Sequence, residues 1–241
     1  MENSTFHDNS SGFKNKGGDG DAEGGAINTC NTESHLTVSR STFTANKVDG
    51  SGGAIQVEGI FRASGNVFSR NLATVDGGAI HAQDSVQIIS NTIRHNVAEG
   101  FGGGVFMDDV DQASVFSRNL VDANTADWGG GVYIYGSEAG SGRMAILTNS
   151  IWNNVATYDG GGLLIDFTAA GALYELANNV RSNTFVKNRA SYGAAGVNYV
   201  SSVTKATQRT FSALVKSSKY QLNKSTIRGA DKLMLKAGGP M

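Results

Sequence analysis

Short runs of alternating apolar and polar residues recur along the first 200 positions, and one phrase anchors each run. The phrase is an apolar residue, two variable residues and an asparagine. Its copies are Phe6…Asn9, Phe43…Asn46, Phe68…Asn71, Ile93…Asn96, Val121…Asn124, Ile151…Asn154 and Phe185…Asn188. The phrase keeps its length, whereas the spacing between its copies varies. This pattern indicates structural units that stack on one another.

A glycine-containing phrase follows each asparagine phrase in the sequence. Its copies are Gly24-Gly25-Ala26-Ile27, Gly52-Gly53-Ala54-Ile55, Gly77-Gly78-Ala79-Ile80, Gly103-Gly104-Val105, Gly130-Gly131-Val132, Gly161-Gly162-Leu163 and a degenerate Ala194-Ala195-Gly196-Val197. The flanking apolar residues alternate with period two over three to five positions, which is typical of strands. Three short strands per repeat of about 25 residues predict an all-β fold, a right-handed parallel β-helix (solenoid) of about seven coils over residues 1–200.

The two phrases have physical reasons at the corners of such a solenoid. Stacked asparagines can donate and accept hydrogen bonds along the axis, and asparagine tolerates the left-handed backbone of a tight corner. Paired glycines permit positive φ and close approach of the backbone. We therefore predict a structural ladder of Asn46, Asn71, Asn96, Asn124, Asn154 and Asn188.

The alternation of Phe-x-x-Asn with Gly-Gly-Ala-Ile resembles the repeat of the chlamydial polymorphic membrane proteins. It is also similar, less closely, to the repeats of right-handed parallel β-helix proteins in general. The resemblance covers residues 1–200, where four copies carry Phe and three carry the complete Gly-Gly-Ala-Ile. Members of that family are surface-exposed adhesins. The resemblance therefore implies an extracellular or cell-surface rod that is used for contact.

The residues that follow the inward positions predict an unusual outer face. If Val105 and Val132 point inward, the aromatic residues next to them point outward, and the corner before the glycines adds further rings. The predicted interface or ligand face consists of Phe101, Phe106, Trp128, Tyr133, Tyr135, Tyr158, Leu164 and Tyr192. Exposed aromatic clusters rimmed by acids mark interfaces or sugar-binding faces. Cover by another part of the same chain is the alternative.

Charge divides the chain and sets residues 201–241 apart. Residues 1–200 carry 12 basic and 20 acidic residues, whereas residues 201–241 carry 8 basic residues and only Asp231. Apolar residues have helical spacing over 204–222, and 233–235 resembles a short extended piece. We expect a basic, partly helical segment that caps its own solenoid or reaches a neighbouring subunit. Because the body is acidic, its expected partner is protein and not nucleic acid.

Composition excludes several other classes. Glycine accounts for 32 of 241 residues, but without a period of three and with a single proline, so the chain is not collagen-like. Cys30 stands alone, which excludes a disulfide scaffold. No run of 18 apolar residues occurs, so no transmembrane segment is expected.

Catalysis is an alternative, because some β-helix proteins cleave polysaccharides. Such chemistry needs paired carboxylates, or a basic residue assisted by calcium. Asp108, Asp109 and Asp111 are the candidate acids, with Arg118 or Arg143 as the candidate base. These acids share one loop, and acids recur along the whole chain, so we expect no enzyme and no catalytic residue.

No cofactor is expected, with calcium as the weaker alternative. The four histidines lack metal-ligand spacing. Asp19, Asp21 and Glu23 lie in a glycine-rich stretch that resembles a single copy of a calcium-binding repeat. They are the weak candidate for a metal site.

The leading hypothesis is an extracellular structural protein, an adhesin or a filament subunit. Its expected partner is itself, through the open ends of the β-helix and the aromatic face, and surface glycans are a further candidate. The alternatives are a polysaccharide lyase or hydrolase on the same fold, or a glycan-binding module that uses the aromatic corner.

Overall fold

The structure, a computed structural model, describes residues 1–12, 22–136, 144–166, 180–196 and 218–226, together with the backbone of residues 197–200 and 233–237. Strands in these ranges pair in parallel, each with the strand one coil before or after it. The described residues form no helix. The prediction of an all-β parallel β-solenoid is confirmed.

Four strands make up one coil, and they stack into four sheets that we name A to D in chain order. Sheet A contains His35–Ser39, Ile60–Ser64, Val86–Ile89, Val115–Ser117, Ala145–Leu147 and Val180–Arg181. Sheet B contains Thr5–His7, Thr42–Thr44, Val67–Ser69, Thr92–Arg94, Leu120–Asp122, Ser150–Trp152, Thr184–Val186 and Lys219–Gln221.

The strands of sheet C are shorter and those of sheet D are longer. Sheet C contains Ser10–Ser11, Lys47–Val48, Leu72–Ala73, Val97–Ala98, Thr125–Ala126, Val155–Ala156, Arg189–Ala190 and Lys224–Ser225. Sheet D contains Ile27–Thr29, Ile55–Val57, Ile80–Gln83, Val105–Asp108, Val132–Tyr135, Leu163–Asp166, Gly196–Val200 and Leu233–Ala237. A separate pair joins Ala22–Glu23 to Gly50–Ser51.

The number of strands and coils differs slightly from the prediction of three strands per repeat and about seven coils. Five coils between residues 35 and 166 have all four strands described with their side chains. Sheets B, C and D continue this stack at both ends and hold eight strands each. The fourth strand arises because two left-handed residues in each coil divide the chain into three pieces before the glycine corner is reached.

The interior is a continuous column of apolar side chains. Phe6, Phe43 and Phe68 stack with ring centroids 4.7 and 4.9 Å apart. Ile80 and Ile134, which the sequence places inward on sheet D, are both fully buried. Each coil therefore buries its apolar residues against its neighbours, and no coil has a separate core.

Asparagines form two polar columns, at the A–B and B–C corners. In the B–C column, the backbone N and the Nδ2 of Asn46 both donate to Asn71 Oδ1 at 3.0 Å. Asn71 donates to Asn96 in the same way at 2.9 Å. The column continues through Asn124, Asn154, Asn188 and Asn223. Each Nδ2 also donates to a carbonyl of an adjacent coil, as Asn96 does to Phe68 O at 3.2 Å.

The second column, at the A–B corner, follows the same rule. It contains Asn66, Asn91, Asn119, Asn149 and Asn183, and their side chains are buried. Ser41 and Ser218 take the equivalent positions at its two ends. Both ladders leave their buried amides with partners, as the low polarity of the interior requires.

The left-handed backbone lies at the residue before each asparagine. At the B–C corner, positive φ occurs at Asp8, Ala45, Arg70, His95, Ala123, Asn153, Lys187 and Leu222. The expectation that the asparagines themselves adopt this conformation was wrong. Their side chains form the ladder, and the residue before each asparagine makes the left-handed turn. The corner residue varies freely in type from coil to coil.

The C–D corner depends on glycine for a steric reason. Gly77 has a φ of +62°, and a Cβ on it would lie 2.4 Å from the carbonyl oxygen of Ile80. A Cβ on Gly78 would lie 2.1 Å from the carbonyl oxygen of Gly103 in the next coil. The first glycine is crowded by its own strand and the second by the neighbouring coil, so both positions favour a residue without a side chain.

The helix predicted over 204–222 was wrong at its end. Lys219–Gln221 is a strand of sheet B that pairs with Thr184–Val186. The reason is an eighth copy of the repeat phrase: Tyr220 replaces Phe and stacks on Phe185 at 5.4 Å, while Asn223 Oδ1 accepts from Asn188 N at 3.0 Å. Residues 204–217 lie outside the described part of the chain.

Candidate binding surface on the outer face of sheet D

An aromatic cluster covers the outer face of sheet D. Strand pairing brings Phe106 beside Tyr133, and Tyr133 beside Leu164. The rings of Phe106 and Tyr133 stack with centroids 5.1 Å apart. His81, one coil earlier, stacks on Phe106 at 4.8 Å. The structure thus brings together side chains that are separated by 25 to 31 residues in the sequence.

A second row of rings follows the corner that leads to the glycines. Phe101 and Trp128 pair across neighbouring coils with centroids 5.4 Å apart. Trp128 stacks on Tyr158 at 4.6 Å. Phe101 also meets Tyr133 edge-on at 4.8 Å, which joins this row to the cluster. Such stacked and edge-to-face pairs add attraction beyond the area that they bury.

The prediction of an exposed aromatic face was wrong for its central members. Phe106 is 7% exposed, Tyr133 is 3% exposed and Leu164 is fully buried. The surrounding rings Phe101, Trp128, Tyr135 and Tyr192 are partly buried against them. Among the predicted residues, Tyr158 is clearly exposed, at 46%. These side chains pack against one another and form a cluster whose exposed part is mainly its rim.

His81 forms a polar end to this cluster. Its side chain is buried, and neither ring nitrogen has a hydrogen-bond partner. Its Nε2 lies 3.7 Å from Asp108 Oδ2, which is too long for a hydrogen bond. That carboxylate oxygen instead accepts from Gln83 Nε2 at 3.0 Å.

Two ionisable groups near the cluster are perturbed by it. Burial raises the pKa of the Asp76 carboxyl, although its hydrogen bond from Phe101 N at 2.7 Å partly opposes the rise. Burial, followed by the carboxylates of Asp166, Asp109 and Asp108, raises the pKa of the Tyr135 hydroxyl. Desolvation is the main cause in both cases.

The acids considered for catalysis serve separate structural contacts. Asp108 binds Gln83, whereas Asp111 Oδ1 accepts from Ala113 N and from Ser114 Oγ, each at 2.9 Å. Arg118 Nε donates to Ser90 Oγ at 3.3 Å on another face. Arg143 lies outside the described residues.

The weak calcium candidate is only partly within the described chain. Asp19 and Asp21 fall outside it, and Glu23 ends the short strand Ala22–Glu23. Across the residues that the structure describes, no group of three or more His, Cys, Asp or Glu side chains is placed to hold a metal ion.

A second surface, on sheets B and C, was overlooked in the sequence. Large apolar side chains are exposed there at Val97, Leu120, Trp152, Val155 and Leu222. Next to them a groove is lined by Asn153, Val155, Lys187, Arg189, Leu222 and Lys224. The sequence contains an indication of this groove, because Arg189 and Lys224 each directly follow a ladder asparagine, at the same position of the repeat.

The fold and its corners define a parallel β-solenoid built on alternating asparagine and glycine phrases. The family model of the Chlamydia polymorphic membrane protein repeat matches residues 40–58 and 67–83. These segments contain Phe43…Asn46 and Phe68…Asn71 with the glycine phrases that follow. The resemblance stated from the sequence is therefore confirmed.

Comparisons with curated proteins and with solved structures found no significant match. No helix in the described residues is long and apolar enough to cross a membrane.

Proposed function

We propose that this chain is a non-enzymatic structural protein of the cell surface, an adhesin or a filament subunit, that needs no cofactor. The observation that carries the proposal is the match of two consecutive coils to the polymorphic membrane protein repeat. The name of that family places its members at a membrane. A rigid solenoid that carries a packed aromatic cluster and an exposed apolar strip suits a role in contact.

Self-association through the ends of the solenoid is part of this proposal. The ladder has a direction, because each asparagine donates to the Oδ1 of the next coil. No described residue donates to the Oδ1 of Asn9, and the backbone N of Asn223 has no described acceptor. The two ends are therefore complementary, and head-to-tail stacking would continue both the ladder and the sheets.

Surface placement is tested by labelling. We expect antibodies raised against the folded chain to label intact source cells, and external protease to remove the label. Label that appears only after permeabilisation would overturn the surface role.

Contact is tested by adhesion and by sedimentation. Beads coated with the folded chain should adhere to cells, while beads coated with heat-unfolded chain should not. The sedimentation coefficient of the purified chain should rise with concentration, and electron microscopy should show filaments. Monomers at every concentration would refute self-association and leave only adhesion.

A further inference from the structure

A groove at the B–C corner concentrates positive charge, and none of its described lining residues is acidic. Lys187, Arg189 and Lys224 line it from two neighbouring coils, and all three side chains are exposed. No ion pair joins any of them to a carboxylate among the described residues. Asp122, on the same side of the solenoid, accepts from Asn153 Nδ2 at 2.7 Å.

The arrangement works against stability. Arg189 and Lys224 are direct partners across parallel strands, where strands lie ~4.8 Å apart. Like charges at such positions repel and destabilise a sheet. Like charges that lie side by side, with no compensating charge from the same chain, are expected where a bound ligand supplies the opposite charge.

The same repeat position elsewhere lacks this charge cluster. In the strands between Lys47–Val48 and Arg189–Ala190, this outward position holds Leu72, Val97, Thr125 and Val155. Lys47 occupies it near the other end of the solenoid, where Asp8 lines the same pocket. The charge is therefore concentrated at one place and is not a property of the whole face.

Apolar surface adjoins the cations. Trp152 is 42% exposed and directly precedes Asn153, which lines the groove. Leu222, 75% exposed, is itself a lining residue. An exposed indole beside cations offers a flat face for a sugar ring next to donors for its acidic groups.

We propose that this groove binds a sulfated polysaccharide. The guanidinium of Arg189 can grip an oxyanion with two parallel hydrogen bonds, and the two lysines add point charges. Three cations within two coils require closely spaced anionic groups, which a glycan with several sulfates per disaccharide supplies. A glycan with a single carboxylate per disaccharide would leave cations unpaired.

Nucleic acid is the less suitable polyanion. A long duplex would extend beyond the groove over a body whose residues 1–200 hold 20 acidic and 12 basic side chains. The acidic body would repel its phosphates. A short sulfated segment stays within the groove. This proposal stands independently of the adhesin role, because it is tested on the purified chain alone.

The test is the affinity of the purified chain for a heparin-derived hexasaccharide, measured by titration calorimetry at near-physiological salt. The triple variant Lys187→Gln, Arg189→Gln, Lys224→Gln should bind about tenfold more weakly or worse, since each lost contact removes a charge-assisted bond. Lys47→Gln, which removes one exposed cation at the repeat position of Arg189 and Lys224, is the control outside the groove and should stay within about twofold.

Three results would overturn the proposal. They are no binding by the parent chain, an equal loss in Lys47→Gln, or equally tight binding of a DNA oligonucleotide of the same charge. A desulfated hexasaccharide should lose affinity in the parent and change little in the triple variant. The triple variant should melt at the same temperature as the parent or at a higher one, because the charges that it removes repel one another. A loss of affinity without a fall in melting temperature would show that the loss belongs to the groove and not to the fold.

Discussion

The B–C corner and the C–D corner both turn the chain through a left-handed residue, but they accommodate that residue in different ways. Both contain a left-handed residue in every coil, but at the B–C corner this residue is Ala45, Arg70 or His95, whereas at the C–D corner it is always glycine. A left-handed conformation costs about 1–2 kcal/mol for a residue with a side chain. The asparagine ladder offsets that cost at one corner, and the absence of a Cβ avoids it at the other.

Space explains the difference. Gly65 stands before a ladder asparagine at the A–B corner, and a Cβ on it would meet only Arg40 Cγ, at 3.7 Å. At Gly77 the same atom would lie 2.4 Å from a backbone oxygen. The asparagine corners therefore point their variable residue at solvent, whereas a side chain on Gly77 would point into the strand that follows it in the same coil. The left-handed residue can therefore vary at the first kind of corner and not at the second.

The largest effect is expected at the glycine corner. Gly77→Ala should lower the free energy of unfolding by about 3 kcal/mol or more, because the strained φ and the clash act together. Urea denaturation measures it. Gly65→Ala, also at a positive φ but without a clash, is the matched control and should cost only the left-handed backbone, about 1–2 kcal/mol. Equal costs at the two positions would contradict the distinction between the corners.

The ladder should give the next largest effect. Asn96→Leu removes the acceptor of Asn71 N and Nδ2, which leaves the buried backbone N without a partner and the Nδ2 with Phe43 O alone. We therefore expect a loss of about 2–4 kcal/mol in unfolding free energy. Asn9→Leu, at the exposed end of the same ladder, should cost less than about 1 kcal/mol. A small effect at Asn96 would mean that the ladder follows from the fold without stabilising it.

Tyr220 tests the last described copy of the repeat. Burial raises the pKa of its hydroxyl to about 12, while nearby Ser218 opposes this weakly. The hydroxyl is buried without a well-formed hydrogen bond. We expect Tyr220→Phe to be neutral or to stabilise the chain by about 0.5–1 kcal/mol.

The stability of the protein at alkaline pH gives a second test of the burial of the Tyr220 hydroxyl. Because the folded pKa lies above the ordinary value of 10.0, the contribution of Tyr220 to stability is present below pH 10 and is lost as the pH rises towards 12. Tyr220→Phe should reduce this alkaline loss in melting temperature. Identical pH profiles in parent and variant would place the hydroxyl in solvent.

The smallest effect is expected at Asp76, the acid beside Gly77. Its pKa is raised by burial, so its contribution is full below the ordinary value of 3.8 and falls as the pH rises through the folded pKa. Asp76→Asn keeps an acceptor for Phe101 N and carries no charge. Near pH 7 we expect the variant to match or slightly exceed the parent, by less than about 1 kcal/mol. A clear destabilisation would show that the charge itself is needed.

Much of the fold could be predicted from the sequence, because the asparagine phrase reflects hydrogen bonding between coils and the glycine phrase reflects a steric limit on the backbone. Ile80 and Ile134 were placed inward by period two alone. Tyr220 and Asn223 were overlooked because tyrosine replaces the apolar residue and no Gly-Gly pair follows them at the usual spacing. Their pairing with Phe185 and Asn188 shows how contacts between coils override local helical spacing.

The binding surfaces were harder to predict. Alternation places Phe106 and Tyr133 on the outer side of sheet D, but it does not reveal that neighbouring rings bury them. The basic groove depends on which coils are adjacent, and Lys187 and Lys224 are far apart in the chain. Only the register of the coils brings them together.

The central claim, that buried asparagines bind the coils to one another, is tested most directly by amide hydrogen exchange of their side chains in the native protein. NMR should show the Nδ2 protons of Asn71, Asn96 and Asn124 exchanging as slowly as backbone amides of the adjoining strands, because those groups share the same opening event. Asn28, which is exposed, should exchange quickly and serves as the internal control. Ladder protons that exchange as fast as those of Asn28 would contradict the account.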